Sequence, residues 1–120
     1  MSSDHRFRGR ERLRLRNEFA RVYAARCSRG DAALVVYVAP NGLGWSRLGL
    51  NVSRRIGGAV TRNYVKRRIR EAFRLQKSEL PVGFDVICVA KERAADRDWD
   101  ILRSLRTLFR DAVDRAKRES

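Results

Sequence analysis

Residues 54–77 carry nine Lys or Arg side chains against a single acid, Glu71, yet from 59 to about 80 the same stretch places apolar residues at helical spacing. At about 100° per residue, Val65, Ile69, Ala72 and Phe73 fall on one stripe that must face a core. Lys66, Arg70, Asn63, Arg74 and Arg67 follow in that order around the adjoining flank, so one side of the helix offers four cations and an amide. The helix is entered through Ile56-Gly57-Gly58 and ended by Pro81-Val82-Gly83. Any fold containing it needs an apolar layer beneath the stripe and leaves a cationic surface facing outwards.

That layer can be read on either side of the helix. Residues 32–39 are apolar and rich in β-branched side chains, the pattern of a strand buried on both faces. Pro40-Asn41-Gly42-Leu43-Gly44 is a turn, and 47–53 a second strand, giving an expected hairpin. Residues 84–90 form a third apolar strand. A short helix over 18–26 has Asn17 as N-cap, with Phe19, Val22, Tyr23 and Arg26 at helical spacing, and Ser28-Arg29-Gly30-Asp31 ends it. A last helix opens at 98–102 and carries Leu102, Leu105, Leu108, Phe109, Ala112 and Val113 on one face. The order α-β-β-α-β-α predicts an α/β two-layer sandwich around a small mixed sheet. No repeat or linker divides the 120 residues, so one domain over 1–120 is expected, with 1–12 and 117–120 as disordered tails.

The net charge of +14 is unevenly placed: residues 1–30 contribute +6 and residues 54–77 contribute +8. Two basic patches, rather than a uniform coat, predict a shaped surface for a polyanion, most often nucleic acid. Arg outnumbers Lys 24 to 4, which suits bidentate phosphate binding but also arises from genome composition alone. A basic helix flank is ordinarily a solvated face, but here the acidic i,i+4 partners of such faces are missing. Asn63 adds a group that both donates and accepts, so it can meet a 2′-hydroxyl, a base edge or a phosphate. The glycines at 57 and 58 let backbone approach an anion closely.

Other chemistries find little support. Cys27 and Cys88 lie 61 positions apart with no Cys or His at metal-ligand spacing, and are expected as buried reduced thiols. His5 is the only histidine, and neither paired carboxylates nor a Ser/His or Cys/His arrangement is present, which argues against a self-contained nuclease. Asp96, Asp98 and Asp100 alternate like a calcium loop, but Ile101 stands at its sixth position and Thr107 at its twelfth. Asp98 is therefore read as an N-cap and Asp100 as a first-turn charge. With no secretory signal and no run of about 20 apolar residues, a cytoplasmic protein is expected. The Arg-rich, acid-poor start suits an extended arm or a transit peptide equally.

The run Gly57-x-Ala59-Val60-x-Arg62-Asn63-x-x-Lys66-Arg67-x-x-Arg70-Glu71 closely resembles the signature of the protein subunit of bacterial ribonuclease P. The resemblance covers roughly residues 12–113 and includes Arg14-Leu15-Arg16-Asn17-Glu18-Phe19, Pro40-Asn41-Gly42, Arg47-Leu48-Gly49-Leu50-x-Val52-Ser53 and Gly83-Phe84-Asp85. Arg54 and Arg55 stand where that family usually shows lysines, and Tyr64 replaces a residue that is often basic. The resemblance implies a ribonucleoprotein endonuclease that removes the 5′ leader of precursor tRNA. It implies no catalytic residue in the protein, Mg2+ held mainly by the RNA subunit, no organic cofactor, no membrane, and a monomer in a 1:1 complex with the catalytic RNA. It also implies a fold shared with a ribosomal protein domain, with a left-handed β-α-β crossover around the basic helix. Arg54, Arg55, Arg62, Asn63, Lys66, Arg67, Arg70 and Arg74 are then expected to dock on the catalytic RNA. Phe19, Tyr23 and Tyr37 are expected to line a cleft for the leader. Taken by themselves, Phe19 and Tyr23 at i,i+4 suit core contacts as well as a stacking platform. A ribosomal or other non-catalytic RNA-scaffold protein is the alternative function.

Overall fold

A computed structural model describes residues 9–119. Helices Arg16–Ala24 (α1), Ala59–Leu75 (α2) and Ile101–Glu119 (α3) and strands Ser28–Gly30 (β1), Leu34–Pro40 (β2), Arg47–Asn51 (β3) and Phe84–Ala90 (β4) follow in the order α1-β1-β2-β3-α2-β4-α3. The sheet order is β1-β2-β4-β3, with β3 parallel to β4 and the other pairs antiparallel. The expected α/β sandwich with a mixed sheet is present, and β3-α2-β4 is a crossover between neighbouring parallel strands.

Alternation along the strands divides two cores. Leu34, Val36 and Val38 of β2 join Leu48, Val86 and Cys88 in the main core, against Val65, Ile69 and Phe73 of α2 and Leu105, Phe109 and Ala112 of α3. On the other face Ala39 and Ile87 meet Val22 of α1 and Leu13 in a smaller cluster. Cover on both faces is why β2 and, apart from Asp85, β4 read as apolar runs.

The expected hairpin is not formed. β4 lies between β2 and β3, pairing Tyr37 with Ile87 on one side and Gly49 with Ile87 on the other. The loop after β2 is fastened to the start of β4 instead of closing on itself: Asn41 N–H donates to Gly83 O at 2.9 Å, and Ser46 Oγ accepts from Phe84 N–H at 3.1 Å. Residues 28–30, expected in a turn, form the edge strand β1 because Arg26 takes a left-handed conformation (φ 53°) that reverses the chain after α1.

Element ends shift for local reasons. α1 starts at Arg16, ahead of the expected Asn17 cap, because Glu18 reaches back to accept from Leu15 N–H at 3.2 Å. α2 stops at Leu75 rather than near 80: Gln76 is buried and donates to Leu102 O at 2.8 Å, and a 3₁₀ turn, Lys77–Glu79, follows. Asp100, not Asp98, caps α3, accepting from Arg103 N–H at 3.1 Å. That start turns Leu102 outwards and Ile101 inwards. Gly9–Glu11 form a 3₁₀ turn, Arg12 bridges to Leu48, and α3 runs to Glu119, so residues 9–12 and 117–119, expected in the tails, belong to the fold. Residues 1–8, with His5, and Ser120 lie outside the described residues. Cys27 and Cys88 are free and buried, as expected, and no described helix is long and apolar enough to cross a membrane.

Candidate nucleic-acid interface

Burial of Val65, Ile69, Ala72 and Phe73 fixes the rotation of α2 and turns its basic flank outwards. Asn63 and Arg67 are exposed, while Arg62, Lys66, Arg70 and Arg74 are half-buried. Arg54 and Arg55 sit exposed on the 3₁₀ turn Arg54–Ile56 just before the helix. The link between them needs glycine at 57: its φ is +146°, and a Cβ there would come within 3.0 Å of Thr61. Gly58 caps α2 with no side chain and the first turn holds no acid, so no acid of that turn offsets the positive end of the helix, which follows directly on Arg54 and Arg55. Among the described residues, Arg54, Arg55, Arg62, Lys66, Arg67 and Arg70 form no ion pair. Arg74 differs, being bonded to Glu71 at 2.6 Å, and that hydrogen bond holds the Glu71 carboxyl below its usual pKa.

A groove of about 250 Å³ runs along one edge of α2, where Lys66 and Arg70 face Arg14, Phe19, Leu48 and Leu50. Phe19 thus joins the basic helix to a row of rings. Its centroid lies 6.5 Å from that of Tyr23, which meets Tyr37 edge-on at 4.9 Å. All three rings are half-buried, packed over the smaller core with their outer edges open. The rings are therefore core contacts that each keep part of their surface open. Gly49 lies directly beneath Phe19, where a Cβ would stand 2.6 Å from the ring. Tyr23 Oη accepts from Asn51 Nδ2 at 3.0 Å, and the cross-strand row Val35, Val89 and Asn51 beside the rings is only partly covered.

α1 is held in place by a buried carboxylate. Asp85 is 0 % exposed and accepts from Asn41 Nδ2 at 3.0 Å, from Arg47 Nε and Nη2 at 2.7 Å each, and from Arg21 of α1. Arg47 also donates to Glu18 of α1 at 2.7 Å. Burial pushes the Asp85 pKa up, but the hydrogen bonds from Arg47 and Asn41 and the charges of Arg47 and Arg21 outweigh it and hold the carboxyl below its usual value.

The arrangement sets unpaired guanidinium and ammonium groups beside partly open aromatic rings. No three described His, Cys, Asp or Glu side chains converge to hold a metal ion. The family model for ribonuclease P matches residues 7–115. The chain belongs to the ribonuclease P protein family. A ribonuclease P protein component from Caldanaerobacter subterraneus is 41% identical over 92 residues, covering 77% of this chain and 79% of that one. The RNase P protein structure from Staphylococcus aureus superposes with a TM-score of 0.74 at 34% identity, over 85% of this chain and 94% of that one. The Thermotoga maritima RNase P protein gives 0.71 at 34% identity, over 88% and 96%. The chain is accordingly the protein component of an RNA-containing endoribonuclease that matures the 5′ end of tRNA.

Within this ribonuclease P protein the structure brings together what the sequence had kept as two sites, since Phe19, Lys66 and Arg70 share one groove. Arg14 joins them from the N-terminal basic patch, which the sequence set apart from α2. Tyr64, which interrupts the row of cations, has the guanidinium groups of Arg68 and Arg97 at 5.5 and 5.9 Å from its ring centroid. Neither arginine was singled out by sequence reading. Spacing on α2 could have suggested Arg68 as the neighbour of Tyr64 at i,i+4, but nothing local pointed to Arg97.

Proposed function

We propose that the outer flank of α2, with Arg54 and Arg55, docks on the catalytic RNA of ribonuclease P, while Phe19, Tyr23 and Tyr37 hold the single-stranded 5′ leader of precursor tRNA. The observation that carries this reading is the groove in which Phe19 meets Lys66 and Arg70, so that one continuous surface touches both polyanions. Unpaired guanidinium and ammonium groups bind phosphates and release counterions, which supplies affinity without reading sequence. Ring edges and faces left open beside the sheet stack bases of any identity, as leaders of varied sequence require. The cations between the two RNAs also lower their mutual repulsion, which predicts a smaller requirement for added magnesium. Magnesium ions held mainly by the RNA supply the hydrolytic chemistry when bound. The protein acts as one copy per RNA, binding and orienting.

Lys66→Ala and Arg70→Ala test the docking face directly. Each is expected to weaken binding to a bacterial ribonuclease P RNA and to lower the slope of log affinity against log salt by about one. An unchanged slope in both variants refutes the assignment.

A further inference from the structure

On the other edge of α2 a groove of about 730 Å³ separates the helix from the segment after β4, a volume within the range of roughly 300–1,000 Å³ of small-ligand sites. Val60, Asn63, Tyr64 and Arg67 line one wall, and Ala95 and Arg97 the other. The second wall is clipped in place by Arg68, whose guanidinium donates to Ala94 O and Asp96 O at 2.8 Å each and to Trp99 O. Arg93 is turned away, paired with Asp96 at 2.6 Å and lying over Trp99 at 5.3 Å. Arg97 is exposed, forms no ion pair among the described residues, and reaches over Tyr64 at the groove edge.

We propose that Arg97 is a further contact to the catalytic RNA and that the groove it forms with Tyr64, Asn63 and Arg67 holds one unpaired nucleotide of that RNA. The proposal rests on the reading of α2 as the docking face, with which the groove is continuous through Asn63, Arg67 and Arg70. A duplex presents phosphates and hydroxyls but keeps its base faces inside, so it has no use for a ring flanked by Val60, which is 85 % exposed. An unpaired nucleotide does: Arg97, exposed and held only over the ring, swings to its phosphate alongside Arg67, the base takes the place of that guanidinium against Tyr64 beside Val60, and Asn63 meets a hydroxyl or base edge. Arg68 is a positioning residue, since its donors are spent on backbone carbonyls.

The test measures binding of the full chain to a bacterial ribonuclease P RNA across a salt series. Arg97→Ala is expected to weaken binding and lower the salt slope by about one, with Arg97→Lys restoring the slope. Tyr64→Leu is expected to weaken binding about fivefold or more with the slope unchanged. Arg68→Met, in protein shown by circular dichroism to be folded, is expected to match Arg97→Ala, and the double variant to lose no more than either. Wild-type binding by Arg97→Ala and Tyr64→Leu, alongside weakened binding by Lys66→Ala, overturns the groove while leaving the docking face standing. Wild-type binding by Lys66→Ala and Arg70→Ala removes the docking face itself. A loss in Tyr64→Leu accompanied by a lower slope overturns the stacked base.

Discussion

Replacing Asp85 by asparagine tests whether a buried charge network sets the position of α1. Removing one partner of a buried ion pair costs about 3–5 kcal/mol, because the charges left behind are neither paired nor hydrated. Here the lower end applies: the Arg21 side chain is 44 % exposed and can regain water, and Arg47, at 22 %, keeps Glu18. Asparagine also turns an amide N–H₂ towards a site where every neighbour donates. A loss of about 3 kcal/mol follows, or on the order of 10 °C in Tm for a chain of this size. The pH dependence has a definite sign. A carboxyl with a depressed folded-state pKa contributes stability that is complete above its unfolded pKa of about 3.9 and disappears as pH falls through the folded value. Urea unfolding followed by circular dichroism should show the same gap between wild type and Asp85→Asn at pH 7 and pH 5, closing only in stronger acid. A gap below about 1 kcal/mol at pH 7, or one that shrinks between pH 7 and 5, refutes the network as the fastening of α1.

Three further outcomes are expected. Gly49→Ala drives a methyl group into the Phe19 ring from 2.6 Å, so it should cost about 1–3 kcal/mol in urea unfolding and weaken binding of substrates with a leader. Phe19→Ala should leave a folded protein, by circular dichroism, that assembles with the RNA but binds leader-bearing precursor about fivefold more weakly; wholesale unfolding would make the ring a core residue only. Burial pushes the Cys88 thiol up to about 12, so a thiol reagent at pH 8 should label it no faster than the protein unfolds. Fast labelling of the native protein would contradict that burial.

Much of this could be read from the chain because helical periodicity ties residues close in sequence to one face. The stripe from Val65 to Phe73 and the flank from Asn63 to Arg70 needed only the 100° rotation per residue. Strand neighbours carry no such code: the apolar pattern of 84–90 says that the strand is covered on both faces, not that it separates β2 from β3. Asp85 entered only as part of Gly83-Phe84-Asp85, with no role read for its charge, because its partners, Asn41, Arg47 and Arg21, lie 38 to 64 positions away. Arg68 escaped for a related reason, as its acceptors are backbone carbonyls 26 to 31 positions on, which no side-chain pattern records. The rings of Phe19, Tyr23 and Tyr37 were undecidable by spacing because half-burial satisfies both readings.

The central claim is a division of labour between the α2 flank and the rings on either side of one groove. It is tested most directly by cleavage at low magnesium, using a reconstituted ribonuclease P RNA with this protein and precursor tRNA carrying either a long leader or a single leader nucleotide. Wild-type protein should favour the long leader, Phe19→Ala should abolish that preference without changing RNA assembly, and Lys66→Ala should weaken assembly while keeping the preference once the complex is saturated. If the preference survives Phe19→Ala, or if both variants impair assembly alike, the division is contradicted.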